Sequence, residues 1–193
     1  MKHTSSLQRS LILLFCIAAV TGCATTGNGS ASEKRLIADQ MHEEVLNELY
    51  LLKPDVRSQI ASASGYGVFN NVNVNLLIAS FGGGYGVVKD NRGGGTTYMN
   101  MAEVGVGLGA GVKDFRAVFV FHNGNTLKSF VENGWTFGAQ ADAAAKASDK
   151  GAAVAGEAVV NGISIYQLTK SGLALQATVK GTKFWRDSEM NTY

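Results

Sequence analysis

The chain contains little of several residue types on which common kinds of site depend. It has two cysteines, one proline and three histidines in 193 residues. Cys16 lies inside an apolar N-terminal run and Cys23 just after it, so no disulfide framework can stabilise the rest of the chain. No recognised metal-ligand spacing and no Gly-x-Ser-x-Gly elbow is present, and the acidic residues are too scattered to propose a carboxylate pair. The chain is therefore predicted not to be an enzyme and to have no metal or cofactor.

Charge of either sign is not in excess. The chain has 17 basic and 15 acidic residues, and Lys2 and Arg9 lie in a predicted leader, which leaves 15 of each sign in the rest. A neutral protein lacks the basic surface of a nucleic-acid binder, so no nucleic-acid partner is predicted. Any attraction to anionic lipid must come from a local patch.

The N-terminal segment is typical of a secretory signal peptide. Two basic residues precede the apolar run 11–20, and Val20-Thr21-Gly22-Cys23 follows it. The run is far shorter than the roughly 20 residues that span a bilayer. Its end resembles a bacterial lipobox, although Val20 stands where leucine is commonest, and the alternative is an ordinary signal peptide with an incidental cysteine. We expect residues 1–22 to be removed and Cys23 to carry acyl chains, palmitate among them. Ala24 favours sorting to the outer membrane, facing the periplasm.

The next residues predict a tether and then helices. Residues 23–32 hold the lipidated cysteine and a segment without large apolar side chains, and residues 33–193 are long enough for a single domain. Apolar residues at three- and four-residue spacing predict a helix over 33–52, with Ser32 as its N-cap and Pro54 after its end. The apolar positions of this pattern are Leu36, Ile37, Met41, Val45, Leu46, Leu49, Tyr50 and Leu52.

Three further features accompany the helical pattern. A short second helix is predicted over 55–62. On the first helix His42 lies among acidic residues, which favours an exposed, solvated side chain over a ligand. His122 is interpreted as the end of a strand before an Asn123-Gly124 hairpin-type turn. A short helix capped by Thr126 follows in this interpretation, with Leu127 and Phe130 directed inward.

From Gly65 onward the pattern favours strands and turns. Short apolar runs are separated by a predicted turn at 89–95, and an alanine-rich segment at 139–146 is assigned to a strand against its helical propensity. The other predicted strands are 66–69, 76–81, 85–89, 96–101, 104–112, 115–121, 135–137, 163–168 and 173–185.

Alternating glycines mark one of these strands. Gly105, Gly107, Gly109 and Gly111 alternate with apolar residues, and a strand continues after them where a dinucleotide-binding motif needs a helix. A nucleotide site is thereby excluded. Bare glycines allow another group to approach the backbone closely. That group is either a packed helix, an acyl chain or partner segment in a groove, or a second copy in an assembly.

A long, ordered set of residues resembles the SYLF domain, a family found in bacterial lipoproteins and in eukaryotic proteins that bind phosphoinositides and actin. The resemblance covers about residues 54–191. It implies an α+β fold in which N-terminal helices pack on a curved, mostly antiparallel sheet, sandwich- or barrel-like, with glycine-rich strands. It also implies binding of membrane lipid without catalysis. The matching segments are 65–69, 83–88, 105–111 with 114–115, Leu127, Phe130, Gly138 with the alanine-rich stretch, Tyr166, 170–173 and 181–182.

One departure from the family bears on lipid recognition. SYLF domains often carry a lysine just before the glycine-rich strand, and the corresponding stretch here, 73–77, has no basic residue. Basic residues gather instead near the last predicted hairpin, beside aromatic ones. We predict a lipid-binding patch there, the alternative being scattered solvated charges. The patch consists of Lys170, Lys180, Lys183, Trp185 and Arg186.

Two functions follow from the sequence. The first is a non-catalytic, lipid-anchored cell-envelope protein whose SYLF-like domain binds phospholipid. The second is a structural envelope lipoprotein whose glycine-lined sheet binds protein partners or self-associates. Actin binding is a role of eukaryotic members, and it is not extended to a chain with a bacterial lipoprotein signal.

Overall fold

The computed structural model describes residues 29–137, 157–160, 162–169, 172–174 and 181–192. Three helices and seven strands lie in these ranges. No helix among them is both long and apolar enough to cross a membrane. In chain order the elements are α1 Ala31–Leu52, α2 Val56–Ser62, β1 Gly65–Asp90, β2 Thr96–Phe121, α3 Gly124–Asn133, β3 Trp135–Phe137, β4 Glu157–Val160, β5 Ile163–Thr169, β6 Gly172–Ala174 and β7 Gly181–Arg186.

Helix α1 begins two residues earlier than the sequence predicted. Its N-cap is Ser30, whose Oγ accepts a hydrogen bond from the Glu33 backbone N–H, while the Glu33 carboxylate accepts from the Ser30 N–H at 2.7 Å. The prediction of Ser32 was wrong because the residue three positions after Ser32 is Arg35, which has no acceptor to complete a capping box. The predicted tether therefore ends at Ser30. The helix ends at Leu52, as predicted from Pro54.

The buried face of α1 is only partly the predicted one. Leu36, one of the residues assigned to that face, is 70% exposed, and Ile37 and Leu52 are exposed as well. Leu36 precedes the buried Ala38 by two residues, which places it about 200° away around the helix axis. The side chains that α1 buries are Ala38, Met41, His42, Val45, Leu46 and Leu49.

Strands β1 and β2 form one long antiparallel hairpin. The short strands predicted between 66 and 121 are continuous, because each residue of β1 from Gly65 to Leu77 and from Ala79 to Lys89 pairs with a residue of β2. The register shifts once, between Leu77 and Ala79. The predicted turn is confirmed, since Asp90 Oδ1 accepts hydrogen bonds from the backbone N–H groups of residues 92 and 93.

The hairpin folds back so that the two ends of β1 touch each other. A Cβ at Gly84 would overlap the carbonyl oxygen of Asn70, and one at Gly65 would overlap that of Lys89. Only glycine leaves room for two backbones at this separation. The repeated Gly-Tyr-Gly sequences at 65–67 and 84–86 are therefore the places where β1 passes over itself.

The seven strands form one antiparallel sheet. Its order is β3-β7-β2-β5-β4, with β1 along the other side of β2 and β6 on β5. Strand β2 is central because its first part pairs with β7 and its last part with β5. The α+β class with N-terminal helices is confirmed, and the described strands do not close into a barrel.

Helices cover both faces of this sheet. Helices α1 and α2 pack on a face that includes Val68, Val118 and Tyr166, whereas α3 packs on the opposite face. On that opposite face the rings of Phe69 and Phe184 meet edge to face with centroids 4.9 Å apart. Edge-to-face pairs of this kind add stabilisation beyond buried area. The aromatic cluster comprises Phe69, Phe119, Phe121, Phe130 and Phe184.

Helix α3 is the predicted short helix, and it begins where the sequence predicted a hairpin-type turn. Asn123 is its N-cap, and the Asn123 Oδ1 accepts a hydrogen bond from the Asn125 N–H at 2.7 Å, so Thr126 is not the cap. Asparagine favours both an Asn-Gly turn and a helix N-cap, and local sequence does not separate the two. The inward orientation predicted for Leu127 and Phe130 is confirmed.

The remaining strands agree with the sequence in part. Strands β3 and β5 match their predictions, while the strand predicted over 173–185 is described as the separate β6 and β7. The alanine-rich segment 139–146 lies outside the described residues.

Candidate functional site

Strand β7 presents two of the predicted lipid-binding residues on one side. Thr182 and Phe184 are buried, whereas Lys183 and Trp185 between and after them are exposed. This alternation follows from the period of two along a strand. Lys183 and Trp185 therefore point away from the aromatic cluster, and Trp185 keeps 38% of its surface exposed.

The same side continues across β2 and β1. Lys183 lies opposite Ala102 and Trp185 opposite Asn100 on β2, and Ala102 in turn lies opposite Gly83 on β1. Residues directly opposite in an antiparallel pair share a face. Apart from Gly83 and its two neighbours in the chain, no heavy atom lies within 4 Å of the position that a Cβ of Gly83 would take, so the surface is open there.

Two exposed apolar side chains complete this surface. Val104 on β2 and Phe81 on β1 lie directly opposite each other, and they are 56% and 54% exposed. Val104 has the same strand parity as Ala102, which places both on the side of Lys183. We call this surface the Trp185 face; it consists of Phe81, Gly83, Ala102, Val104, Lys183 and Trp185.

The predicted patch is thus brought together only in part. Arg186 is exposed, but it lies opposite Met99 at the end of β7 and has the opposite parity to Lys183. Lys170, Lys180 and the lipidation residue Cys23 lie outside the described residues. Within the part of the chain that the structure describes, Lys183 and Arg186 form no ion pair.

Sequence reasoning missed Phe81 and Val104. Both were assigned to predicted strands as ordinary apolar residues, with no indication of which side is covered. Phe81 directly precedes three glycines and Val104 begins the Gly-alternating stretch. Glycine has no side chain that could cover an adjacent apolar residue. The neighbouring glycines are therefore the signal that could have identified Phe81 and Val104 as exposed.

The four alternating glycines lie in β2, as predicted. Gly105 pairs with Ser80, Gly109 with Leu77 and Gly111 with Asn75, and Gly107 lies at the register shift. A shift of this kind bends and twists the strand that carries the extra residue. Which group packs against these glycines stays a prediction.

The C-terminal segment joins the Trp185 face to the start of α1. After β7 the chain turns at Asp187, whose Oδ1 accepts hydrogen bonds from the N–H groups of Glu189 and Met190. Lys34 Nζ then lies 2.6 Å from Glu189 Oε2, and Arg35 Nε donates to the Met190 carbonyl at 2.8 Å. The N-terminal end of α1 is therefore held against the segment that directly follows Trp185 and Arg186.

A cavity of about 370 Å³ lies on the other side of the sheet, between α3 and the β1–β2 turn. Its charged lining residues are Asp90, Arg92, Lys128 and Glu132, so the two signs balance. Hydrogen bonds from the turn amides lower the pKa of Asp90 and keep its carboxylate ionised. The balanced charges select neither an anion nor a cation. Among the described residues no three His, Cys, Asp or Glu side chains could hold a metal ion.

Comparison with known proteins extends the resemblance. Residues 102–193 match the model of the Ysc84 family, described as Las17-binding protein actin regulator. The chain is also 29% identical over 161 residues to Beta cell expansion factor A of Aeromonas veronii. That match covers 83% of this chain and 60% of the relative, so the chain spans less than two thirds of the relative's length.

The family match includes most of β2, helix α3 and strand β7, which carries Lys183 and Trp185. The relative's match extends over more of the chain than the family model does. The N-terminal helices on an antiparallel sheet agree with the architecture expected from the resemblance. Residues 102–193 are therefore similar to the Ysc84, or SYLF, domain family, whose domains are of a lipid-binding type.

Proposed function

We propose that the chain is a lipid-anchored cell-envelope protein whose SYLF domain binds phospholipid through the Trp185 face. Residues 1–22 act as the signal peptide, Cys23 carries the lipid, and the following residues to Ser30 form the tether. The observation that carries the lipid-binding part is the exposure of Trp185, Phe81 and Val104 beside Lys183.

The chemistry of this face suits a membrane interface. Tryptophan favours the boundary between headgroups and hydrocarbon, and a lysine near an anionic surface contributes about 1 kcal/mol. Asp187, the carboxylate nearest in sequence, is buried and accepts hydrogen bonds from Asn100 Nδ2 and two backbone amides. The face therefore presents one cation and three apolar side chains to the solvent.

The position of the face also suits an anchored protein. The tether from Cys23 to Ser30 has eight residues and reaches about 27 Å when fully extended. It joins α1 at the end that the C-terminal segment holds beside β7. The anchor would thus keep the Trp185 face within reach of the bilayer.

The first experiment tests the domain without its anchor. Residues 29–193 keep the Ser30 cap and lack Cys23, so co-flotation with vesicles reports on the domain alone. We expect binding to phosphatidylglycerol-containing vesicles that weakens at high salt, and weaker binding to phosphatidylcholine vesicles. Lys183→Gln should reduce binding to the anionic vesicles about fivefold, and Trp185→Ser should reduce binding to both.

Two variants serve as matched controls. Leu51→Ser removes an apolar side chain that is 83% exposed on α1, and Lys128→Gln removes an exposed lysine on α3. Neither lies on the Trp185 face, so both should bind as the parent does. Equal losses in the controls would remove the assignment to this face. If no vesicle binds, the anchor is the sole membrane contact and the structural alternative with protein partners is favoured.

The anchor needs a separate test in cells. Labelling with a fatty acid analogue should mark the full chain and should fail to mark Cys23→Ala. Separation of inner and outer membranes then reports the sorting that Ala24 predicts. A labelled Cys23→Ala chain would show that the acylation lies elsewhere.

A further inference from the structure

His42 is buried between α1 and the sheet, although the sequence predicted a solvated side chain. Only 2% of its surface is exposed. His42 follows the buried Ala38 by four residues and precedes the buried Val45 by three, so it shares their helix face. Glu43 and Glu44, which follow it directly in sequence, are exposed, and these acidic neighbours misled the prediction.

The imidazole has partners for one of its two nitrogens. Its ring stacks on Tyr66 of β1 with centroids 5.5 Å apart and an angle of 29°. Nδ1 lies 3.2 Å from Glu43 Oε1, whereas Nε2 is buried without a hydrogen-bond partner. With Nδ1–H as the donor, the neutral ring leaves only a lone pair unsatisfied. A proton on Nε2 would add a buried donor and a charge, and both are unfavourable without an acceptor.

The charged neighbours oppose one another. Burial is the largest influence and lowers the pKa of His42, and Lys89 of β1 lowers it further. On α1 itself, Glu43 and Asp39 act in the opposite direction without reversing the shift. The Asp39 carboxylate also accepts a hydrogen bond from the Tyr98 hydroxyl of β2. Tyr66 offers only a neutral ring, since burial raises its pKa to about 12.

We propose that His42 makes the docking of α1 on the sheet sensitive to acid. While the ring is neutral, it packs against Tyr66 together with the apolar residues of α1. In mildly acidic solution the undocked helix takes up a proton that the docked helix disfavours. Undocking would uncover the apolar side chains Met41, Val45, Leu46 and Leu49, which now contact the sheet.

The sign and the range follow from linkage. A histidine whose pKa is lowered in the docked state leaves docking unaffected well above its ordinary pKa of 6.5. Below that pH the undocked state gains up to about tenfold in population per pH unit, until the docked state also binds the proton. Among ionisable side chains, only histidine has an ordinary pKa within this range. The response between about pH 6.5 and 5 therefore belongs to the histidine.

Hydrogen exchange of the full chain in detergent micelles tests the proposal. Exchange rates, corrected for the intrinsic effect of pH, are compared for the amides of α1 and α3 between pH 7.5 and 5. We expect protection of α1 to fall as the pH drops, while α3, on the opposite face, stays protected. Constant protection of α1 over this range would overturn the proposal.

Three variants make the test specific. His42→Phe keeps an aromatic ring on Tyr66 and cannot be protonated, so α1 should stay protected at pH 5. His122→Gln changes an exposed histidine and should respond as the parent does. Glu43→Gln removes a carboxylate that raises the pKa of His42 in the docked state, so docked α1 takes up the proton at a lower pH. The loss of α1 protection on lowering the pH to 5 should therefore be larger than in the parent.

Each variant can also contradict the proposal. An acid response that persists in His42→Phe, or that disappears in His122→Gln, assigns the effect to another group. If His42→Phe does not fold, Glu43→Gln decides. A loss of α1 protection at pH 5 equal to that of the parent in Glu43→Gln would then remove His42 as the titrating group.

Discussion

At the residue scale, the glycines that matter most to the described fold are those where β1 meets itself. Gly84 faces the Asn70 carbonyl across a distance too short for any side chain, while Gly83 beside it faces open space. The two residues are neighbours in a run of three glycines. The sequence does not show which of the two glycines is required, because only the folding back of the hairpin brings Gly84 against another backbone.

This difference predicts opposite outcomes for two alanine substitutions. Gly84→Ala places a methyl group against backbone, which cannot move as a flexible side chain does, and should destabilise the protein by about 3 kcal/mol. Gly83→Ala should change the free energy of unfolding by less than about 0.5 kcal/mol. Urea unfolding followed by circular dichroism measures both. Equal destabilisation by the two substitutions would show that β1 does not cross itself at Gly84.

At the element scale, the start of α1 depends on a reciprocal pair of hydrogen bonds. Ser30 and Glu33 each satisfy a backbone donor of the other. Hydrogen bonds from Ser30 lower the pKa of the Glu33 carboxyl, so the ionised form is favoured at the helix end, where the dipole also favours a negative charge. The cap of α1 therefore depends on local sequence, and substitution of Ser30 and of Ser32 can show which serine provides it.

Ser30→Ala should destabilise the protein by about 1 kcal/mol, because the first turn of α1 loses its cap. Ser32→Ala, at the position that the sequence favoured, should have little effect. Thermal unfolding of both variants decides between the two assignments. Since the pKa of Glu33 is lowered in the folded state, its contribution is present above the ordinary value of 4.5 and is lost as the pH falls below it. Glu33→Gln should remove that part of the acid dependence.

At the scale of the whole molecule, two adjacent residues of β7 have different roles: Phe184 packs in the core, and Trp185 lies on the proposed membrane surface. Phe184 packs against Phe69 of β1, Phe119 of β2 and Phe130 of α3, so it joins four elements in one cluster. Trp185 lies on the opposite side of the same strand and is partly exposed. The core and the proposed membrane surface are thus the two faces of one strand.

Substitution of these two residues should give contrasting results. Phe184→Ala should destabilise the protein by about 4 kcal/mol, because it removes a buried ring and leaves a cavity. Trp185→Ala should destabilise it by less than about 1 kcal/mol and still reduce co-flotation with vesicles. Unfolding and flotation are measured on the same preparations. A large loss of stability in Trp185→Ala would mean that its ring is structural, and would count against the Trp185 face as a membrane surface.

What could be predicted from the sequence was carried by signals within a few residues of one another. The end of α1 before Pro54, the turn after Asp90 and the inward side chains of α3 all depend on backbone geometry, turn chemistry or helical spacing. The signal-like segment before Cys23 is a pattern of the same local kind. The cap of α1 was misplaced because two serines compete within one turn.

The sequence by itself determined most of the order of helices and strands, because local spacing and turn residues carry it, and its resemblance to a lipid-binding family implied the α+β class. Only the tertiary structure decided that β1 crosses itself, that His42 is buried and that Phe81 and Val104 join Lys183 and Trp185 on one face. These features depend on contacts between residues far apart in the chain. Strand parity gives two sides to every strand, and packing alone determines which side is covered.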